Sequence, residues 1–358
     1  MSRIVTLDDI AKAAGLSRST VSYALRNNPL ASPATRALVH DLAHKMGYKP
    51  NPLVSALMTH RRGSREVEAQ GVIAYLTSFG AGSQWKASPS FRRFFEGAQT
   101  RGREIGYKVE EFALEPGKMS AERMSDILSA RGIRGVIVAP LPSHHGAVDL
   151  AWARFATAAI GYTLANPALH RAAFDHYHGM LMTMEKLASV SGRTIGFAFP
   201  EANVLRVDQI WKSVYLLYQS GLSPKDRVPL FMPGPGGWTR EGFLAWVARF
   251  QPDAIVCGED SPRHWLMEED ARLAQRTIWA MVNHPGNDST LCGVDQNHEL
   301  VGAAALDLVF AQLLHNEIGV PQNPKVVLVK GRWLDQGSSP AELPLATSSA
   351  ERTSRATP

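Results

Sequence analysis

The chain has 358 residues, 45% of them hydrophobic, which is enough to bury a sizeable core and points to two or more domains. Its two cysteines, Cys257 and Cys292, are too few for a disulfide framework and fit a reducing compartment. Net charge is +5, but residues 1–65 hold ten Lys/Arg against three acids, so +7 sits at one end and −2 over the other 293 residues. That is the footprint of a nucleic-acid partner, although a solvated basic tail would show the same balance. No run approaches the roughly eighteen apolar residues of a membrane span, and residues 1–9 lack the apolar stretch of a secretory signal. The expected location is the cytoplasm, with no membrane partner.

Three short helices are predicted at the basic end. Thr6-Leu7-Asp8-Asp9 has the form of a capping box with Asp in fourth place, opening a helix with Leu7, Ile10, Ala11 and Ala14 on one face and Gly15 closing it. Ser17 caps a second helix over 18–26, with Val21, Ala24 and Leu25 inward and Arg18, Ser19, Ser22 and Tyr23 outward. Ser32-Pro33 starts a third, with Leu38, Leu42 and Met46 as its apolar stripe and Gly47 as its C-cap. Two short helices joined through a glycine turn, the second with a small polar outer face, make a helix-turn-helix whose second helix enters the major groove. A purely structural three-helix bundle would show the same helices.

The residues themselves narrow the choice. Thr6-Leu7-Asp8-Asp9-Ile10-Ala11, Ala14-Gly15-Leu16-Ser17, Thr20-Val21-Ser22 and Gly47-Tyr48-Lys49-Pro50-Asn51-Pro52 resemble, in order, the signature of the lactose-repressor (LacI/GalR) family of bacterial transcription regulators. The resemblance implies that Arg18, Ser19 and Tyr23 face base edges, and that the hydroxyls of Thr6, Ser17, Thr20, Ser22 and Ser32 contact phosphate oxygens. Short hydroxyls suit that positioning role, and Ser17 and Ser32 serve as helix caps as well. The family usually has arginine where Tyr23 stands. A tyrosine cannot make the two-pronged contact to guanine, so Arg18 is the better candidate for one.

Residues 51–66 read as a linker containing one marginal helix, 51–58, too short to persist alone in water. In the family such a helix orders against its partner's copy and the minor groove. Asn51 falls among its DNA contacts, and a leucine at the position of Leu57 wedges between base pairs and kinks the duplex. An ordinary linker is the plainer alternative, and Val54 replaces the family's usual alanine.

From residue 71 the chain alternates β-branched runs with amphipathic stretches, the pattern of parallel sheets covered by helices. Strands are expected at 71–77, 134–140, 193–199, 253–258 and 277–282, and helices at 90–105, 206–218 and 297–315. The resemblance continues through Phe95-Glu96-Gly97, Arg134-Gly135-Val136-Ile137-Val138, Asp253-Ala254-Ile255-Val256 and Val294-Asp295-Gln296. It implies an N-terminal all-α helix-turn-helix plus hinge helix, followed by an α/β periplasmic-binding-protein-like core of two doubly wound parallel-sheet subdomains. The expected division is 1–50 for DNA binding, 51–66 for the hinge and linker, 67–335 for effector binding and dimerisation, and 336–358 for a disordered tail rich in Ser, Pro, Ala and Thr.

Ligands of open α/β sheets bind beyond the carboxyl ends of the strands. Ser90 and Phe91 sit at the first strand-to-helix junction, and Arg206 lies near the family's effector arginine. Glu259-Asp260 end a strand where the family often shows Asn/Asp, and Asn283-His284 end another where a sugar-binding aspartate is usual. Contact with an effector and an ordinary polar strand end are equal alternatives for Ser90, Phe91, Arg206, Asp260 and Asn283. The missing aspartate weakens the case for a simple hexose.

Gly80-Ala81-Gly82 lacks both the dinucleotide fingerprint and a phosphate-loop lysine, so no cofactor is expected. The histidines of Asp175-His176-Tyr177-His178 and of His144-His145 have no third ligand at metal-site spacing. Trp238, Phe243, Trp246 and Phe250 recur at near-helical spacing as core residues would. No nucleophile or base constellation for an enzyme assembles. The expected partners are a double-stranded DNA operator, a second copy of the chain and a small carbohydrate-like effector, in a regulator that the family's usual mode makes a repressor.

Overall fold

The computed structural model describes residues 7–25, 31–46, 71–79, 84–114, 119–190, 194–285 and 291–335. The hinge and linker 51–66, the tail 336–358, Gly80-Ala81-Gly82, Gly47, Thr6, Asn51 and Leu57 lie outside the described residues, as do the side chains of Leu7, Ser19 and Ser22. The chain groups into two compact units, residues 1–67 with 311–317, and residues 68–310 with 318–358.

In the first unit α1 (Leu7–Ala14), α2 (Arg18–Leu25) and α3 (Pro33–Lys45) close on Ile10, Ala11, Val21, Ala24, Ala31, Val39 and Ala43. Each end has a local cause. Gly15 takes φ +65° just past α1, a left-handed conformation in which a side chain would be strained. Ser17 Oγ accepts the Thr20 N–H at 3.1 Å and Ser32 Oγ the Thr35 N–H at 3.1 Å, so both serines cap a helix. Pro33 follows Ser32 where its missing N–H removes no helical bond. One expectation is corrected: the inward stripe of α3 is Val39, Leu42, Ala43 and Met46, while Leu38 is exposed. Both sets fit a 3.6-residue period, and the smaller Val39 and Ala43 allow the closer approach.

The second unit has two lobes. Along the first run β1 (Gly71–Thr77), α4 (Pro89–Ile105), β2 (Tyr107–Ala113), α5 (Ala121–Ala130), β3 (Gly135–Val138), β4 (Gly146–Ala147), β5 (Ala156–Ile160), β6 (Leu164–Asn166) and β7 (His170–Phe174). Then come α6 (His176–Val190), β8 (Ile195–Ala198), α7 (Glu201–Leu205), α8 (Ile210–Ser220), α9 (Arg240–Phe250), β9 (Ala254–Cys257), α10 (Ser261–Glu269), α11 (Ala271–Arg276), β10 (Ile278–Met281) and β11 (Cys292–Asp295). α12 (His298–His315), β12 (Val326–Val329) and β13 (Arg332–Leu334) complete the order.

One sheet has the order β12-β7-β5-β3-β1-β2, all parallel. The other runs β13-β11-β10-β9-β8, parallel except for β13. Central strands such as β3 and β5 are buried along their whole length, as strands covered on both faces must be. The expected strands agree to within a few residues. The expected helix at 206–218 does not form as one piece: α7 ends at Leu205, Asp208 and Gln209 take φ +49° and +59°, and α8 begins at Ile210. Arg206 therefore stands in a break. Phe243 and Trp246 pack in the core with Phe231 and Trp279, and both cysteines are buried and free on β9 and β11.

α4 and α12 cross backbone to backbone. A Cβ at Gly97 would strike the Glu299 carbonyl, and one at Gly302 the Phe94 carbonyl. No rotamer change relieves a clash with main chain. Gly302→Ala is expected to lose about 1–3 kcal/mol of stability by overpacking, even after the gain in helix propensity of up to about 1 kcal/mol. Urea unfolding of the variant beside wild type measures this, and equal midpoints would show that the crossing can widen freely.

Candidate functional site

Because all strands of the first sheet and β8 to β11 of the second are parallel, residues beyond their carboxyl ends can meet in shared space. A cavity of about 270 Å³ lies there, near the lower end of the range for small-molecule sites. In the first sheet the strand order reverses between β1 and β3, which leaves a crevice at their ends. Phe91, after β1, and Pro140, after β3, line it. Gly161, Tyr162 and Thr163 extend the wall beyond β5, and Phe174 and His176 beyond β7. From the second sheet come Asn203 and Arg206 after β8, Gly258 after β9, Asn283 after β10, and Gln296 and His298 after β11.

Two contacts bridge the lobes at the cavity. Asn283 Nδ2 donates to Ser90 Oγ at 2.9 Å. Arg206 Nη1 donates to the carbonyls of Leu141 at 2.9 Å and Pro142 at 2.6 Å, and its guanidinium lies 5.7 Å from the Phe91 ring centre. Burial lowers the Arg206 pKa.

A third bridge stands behind the wall. Arg93 on α4 reaches Asp295 Oδ1 at 3.0 Å and Glu299 Oε1 at 2.6 Å, and Arg332 reaches Asp295 Oδ2 at 3.0 Å. Burial alone would raise the Asp295 pKa, but the Arg93 charge and the other partners hold it below the usual carboxylate range. Arg93 Nη1 also lies 3.3 Å from His298 Nδ1. Arginine carries only donors, so Nδ1 accepts and the neutral ring bears its hydrogen on Nε2. His176 sits among Tyr162, Phe174 and Trp211 with its Nδ1 buried and unbonded.

Four of the residues singled out from sequence, Ser90, Phe91, Arg206 and Asn283, line this cavity. Asp260 is not among its lining: its carboxylate takes both prongs of Arg263, at 2.7 and 2.9 Å. Glu259 accepts from Trp238 and Ser261, and His284 is buried against the Leu291 carbonyl. Tyr162, Phe174, Trp211, Gln296 and His298 were not foreseen as lining, and His176 was weighed only as a metal ligand. The rule that ligands sit beyond strand ends would have found Tyr162 and Phe174, had β5 and β7 been recognised.

In the first unit Arg18 opens α2 from an exposed position, and Tyr23, one turn on, is exposed as well. Ser17 Oγ lies 2.8 Å from Thr20 Oγ1, so these two hydroxyls adjoin at the same helix start. Ser32 forms the equivalent pair with Thr35 at the start of α3.

The profile of bacterial regulatory proteins, lacI family, matches residues 6–51, which contain these helices. The match to the LacI family is confined to that segment. HTH-type transcriptional regulator GalS of Salmonella typhimurium is 43% identical over 56 residues, 16% of each chain. HTH-type transcriptional regulator PtxS of Pseudomonas plecoglossicida is 26% identical over 220 residues, 56% of this chain and 60% of PtxS. The chain thus spans less than two thirds of either of these curated relatives. A transcriptional regulator CelR–cellobiose complex superposes with TM-score 0.54 at 17% identity, covering 94% of this chain and 100% of that one. The lac repressor dimer bound to operator and the anti-inducer ONPF gives 0.50 at 18% identity, covering 94% and 99%. At such identities the likeness concerns fold. The fold shared with them is a short helical N-terminal region followed by an α/β core.

The cavity histidines give the α/β core an acid-sensitive stability. Burial foremost, then the charge of His298, presses the His176 pKa down to about 3; burial, then Arg93, presses that of His298 to about 4. In the unfolded chain both titrate near 6.5. Below that value the unfolded state binds protons that the folded state refuses, so stability falls as pH drops from about 6.5 toward the folded values. His176→Phe, which removes one such group, should unfold with a shallower acid dependence between about pH 6.5 and 4. Thermal unfolding across that range checks it, and a slope equal to wild type would show that the buried ring takes up a proton in the folded state.

Proposed function

We propose that the chain is a sequence-specific DNA-binding transcription regulator and not an enzyme: a repressor that binds a near-palindromic operator as a homodimer and answers to a small carbohydrate-like effector in the core cavity. The observation that carries this reading is the coincidence of the lacI-family match at residues 6–51 with a helix-turn-helix whose second helix presents Arg18 and Tyr23 outward. A recognition helix reads only a few base pairs, so two-fold pairing is the economical way to a specific site. Solved relatives include a lac repressor dimer on operator and a CelR–cellobiose complex, which supports both the partner class and the effector class.

In this reading Arg18, Ser19 and Tyr23 face bases, while Thr6, Ser17, Thr20, Ser22 and Ser32 contact phosphate. Residues 1–50 bind DNA, 51–66 form the hinge, with Asn51 at its start and Leu57 as its wedge, 67–335 form the effector-binding core, and 336–358 the tail. Ser90, Phe91, Arg206 and Asn283 contact the effector, and Asp260 serves instead as a structural partner of Arg263. Among the described residues no helix is long and apolar enough to cross a membrane, which accords with work at the bacterial nucleoid.

Gel shift with DNA from upstream of the protein's own gene, against shuffled competitor, tests the reading; equal binding to both would end it. Arg18→Ala should cost about 1–3 kcal/mol on the preferred site and little on nonspecific DNA. Selection from a random duplex pool reads the difference base by base, and a loss spread evenly over all sequences would make Arg18 a phosphate contact. Tyr23→Arg should move the selected motif toward a guanine at one position, because only arginine supplies the two-pronged contact. An unchanged motif would place residue 23 away from the base edges.

A further inference from the structure

Among the described residues the cavity is lined by one permanent cation and no anion. Arg206 is the only described lining residue that carries a fixed charge, and Asp, Glu and Lys are absent from that described lining. The acids nearby are committed elsewhere: Asp295 to Arg93 and Arg332, Asp260 to Arg263, and Asp175 to His178. Asp208, two residues from Arg206, is exposed. His176 and His298 have their pKa values pressed down by burial, so they add no charge at neutral pH.

The geometry of Arg206 adds direction to that charge. Its Nη1 is held by the Leu141 and Pro142 carbonyls, while Nε and Nη2 have no hydrogen-bond partner among the described residues. Those two nitrogens form the side-on fork that a carboxylate fills with a pair of parallel bonds. A partly buried guanidinium without a counter-ion is costly, and a ligand anion relieves that cost. Around it Ser90, Asn203, Asn283 and the Nε2 hydrogen of His298 are neutral groups suited to hydroxyls. Phe91 and Trp211 offer flat apolar faces to a carbon skeleton.

We propose that the ligand of this cavity is a sugar acid, a hydroxylated monocarboxylate whose carboxylate docks on Nε and Nη2 of Arg206. The inference rests on the reading of the cavity as an effector site and narrows its ligand from carbohydrate-like molecules to their acids.

Calorimetric titration of the full chain, without DNA, compares D-glucuronate, D-galacturonate and D-gluconate with D-glucose and D-galactose, and with benzoate as a carboxylate that has no hydroxyls. At least one sugar acid should bind about tenfold or more tighter than its neutral parent and than benzoate, and Arg206→Gln should weaken it about ten- to a hundredfold. Because Arg206 also anchors Leu141 and Pro142, a second variant keeps the test independent of folding there. Asn283→Asp places an anion in the lining where the Ser90 hydroxyl can donate to it; it should weaken the acid about tenfold or more and reduce the acid's preference over its neutral parent. The proposal is overturned if no acid binds, if a neutral sugar or benzoate binds as tightly as the best acid, or if that acid's affinity is unmoved in a folded variant. Gel shift on the same preparations separates the two readings: failure to bind DNA counts against the regulator, whereas intact DNA binding without acid selectivity counts only against the sugar acid.

Discussion

Asp295 is a buried carboxylate shared by two arginines, and that sharing ties together elements of both lobes. It closes β11 in the second lobe, while Arg93 comes from α4 of the first lobe and Arg332 from β13. The chain passes between lobes near this point, after β7, after β11 and between β12 and β13. Desolvating such a cluster consumes most of its Coulomb gain, so its worth is less in net stability than in uniqueness. A lobe shifted from this arrangement would leave a buried charge unpaired, which costs several kcal/mol. The crossing of α4 and α12 at Gly97 and Gly302 adds a steric constraint of the same kind.

The cavity inherits its chemistry from that cluster. Arg93, already committed to two carboxylates, still approaches His298, and in doing so decides which ring nitrogen carries the hydrogen. The ring also rests edge-on against Phe94, 4.7 Å between centres, so its orientation is held on two sides. A neutral ring with a fixed tautomer can tell a hydroxyl that accepts from one that only donates. By contrast Arg206 owes its place to a backbone event, the break between α7 and α8, where a continuous helix would have carried it with the turn.

How much of this could be read beforehand depended on whether the determinant is local. Ser17, Ser32 and Gly15 act on the two or three residues beside them, and each was legible with its role as a cap or a helix end. The central strands were legible because a strand buried on both faces is a continuous apolar run. Arg206 was placed near the ligand by resemblance, while helical periodicity put it inside a helix that the left-handed Asp208 and Gln209 interrupt. Asp260 had the right position at a strand end, yet Arg263, three residues on, claims both its oxygens. Tyr162, Trp211 and His298 come from three distant stretches, and only the packed sheets bring them together. Leu38 shows the limit of periodicity, since two adjacent registers fit α3 and the partner helices choose between them.

The resemblance to the LacI family and the departures from it fall on different kinds of residue. The matched stretches include Gly15, Ser17 and Gly97, where backbone conformation, capping or close approach leaves little choice of side chain. The departures, Tyr23 on the outer face of α2 and Asn283 on the cavity wall, are positions where no packing requirement dictates the group. Tyr23 is exposed, and Asn283 meets Ser90 through one hydrogen bond that other polar groups could also make. Substitution at such places costs folding little, because neither side chain belongs to a buried apolar cluster. Side chains at the outer face of α2 and at the cavity wall can therefore vary separately while the architecture stays the same. In this chain both changes concern charge: a tyrosine stands at position 23 where the family usually has a guanidinium, and an asparagine at position 283 where it usually has a carboxylate.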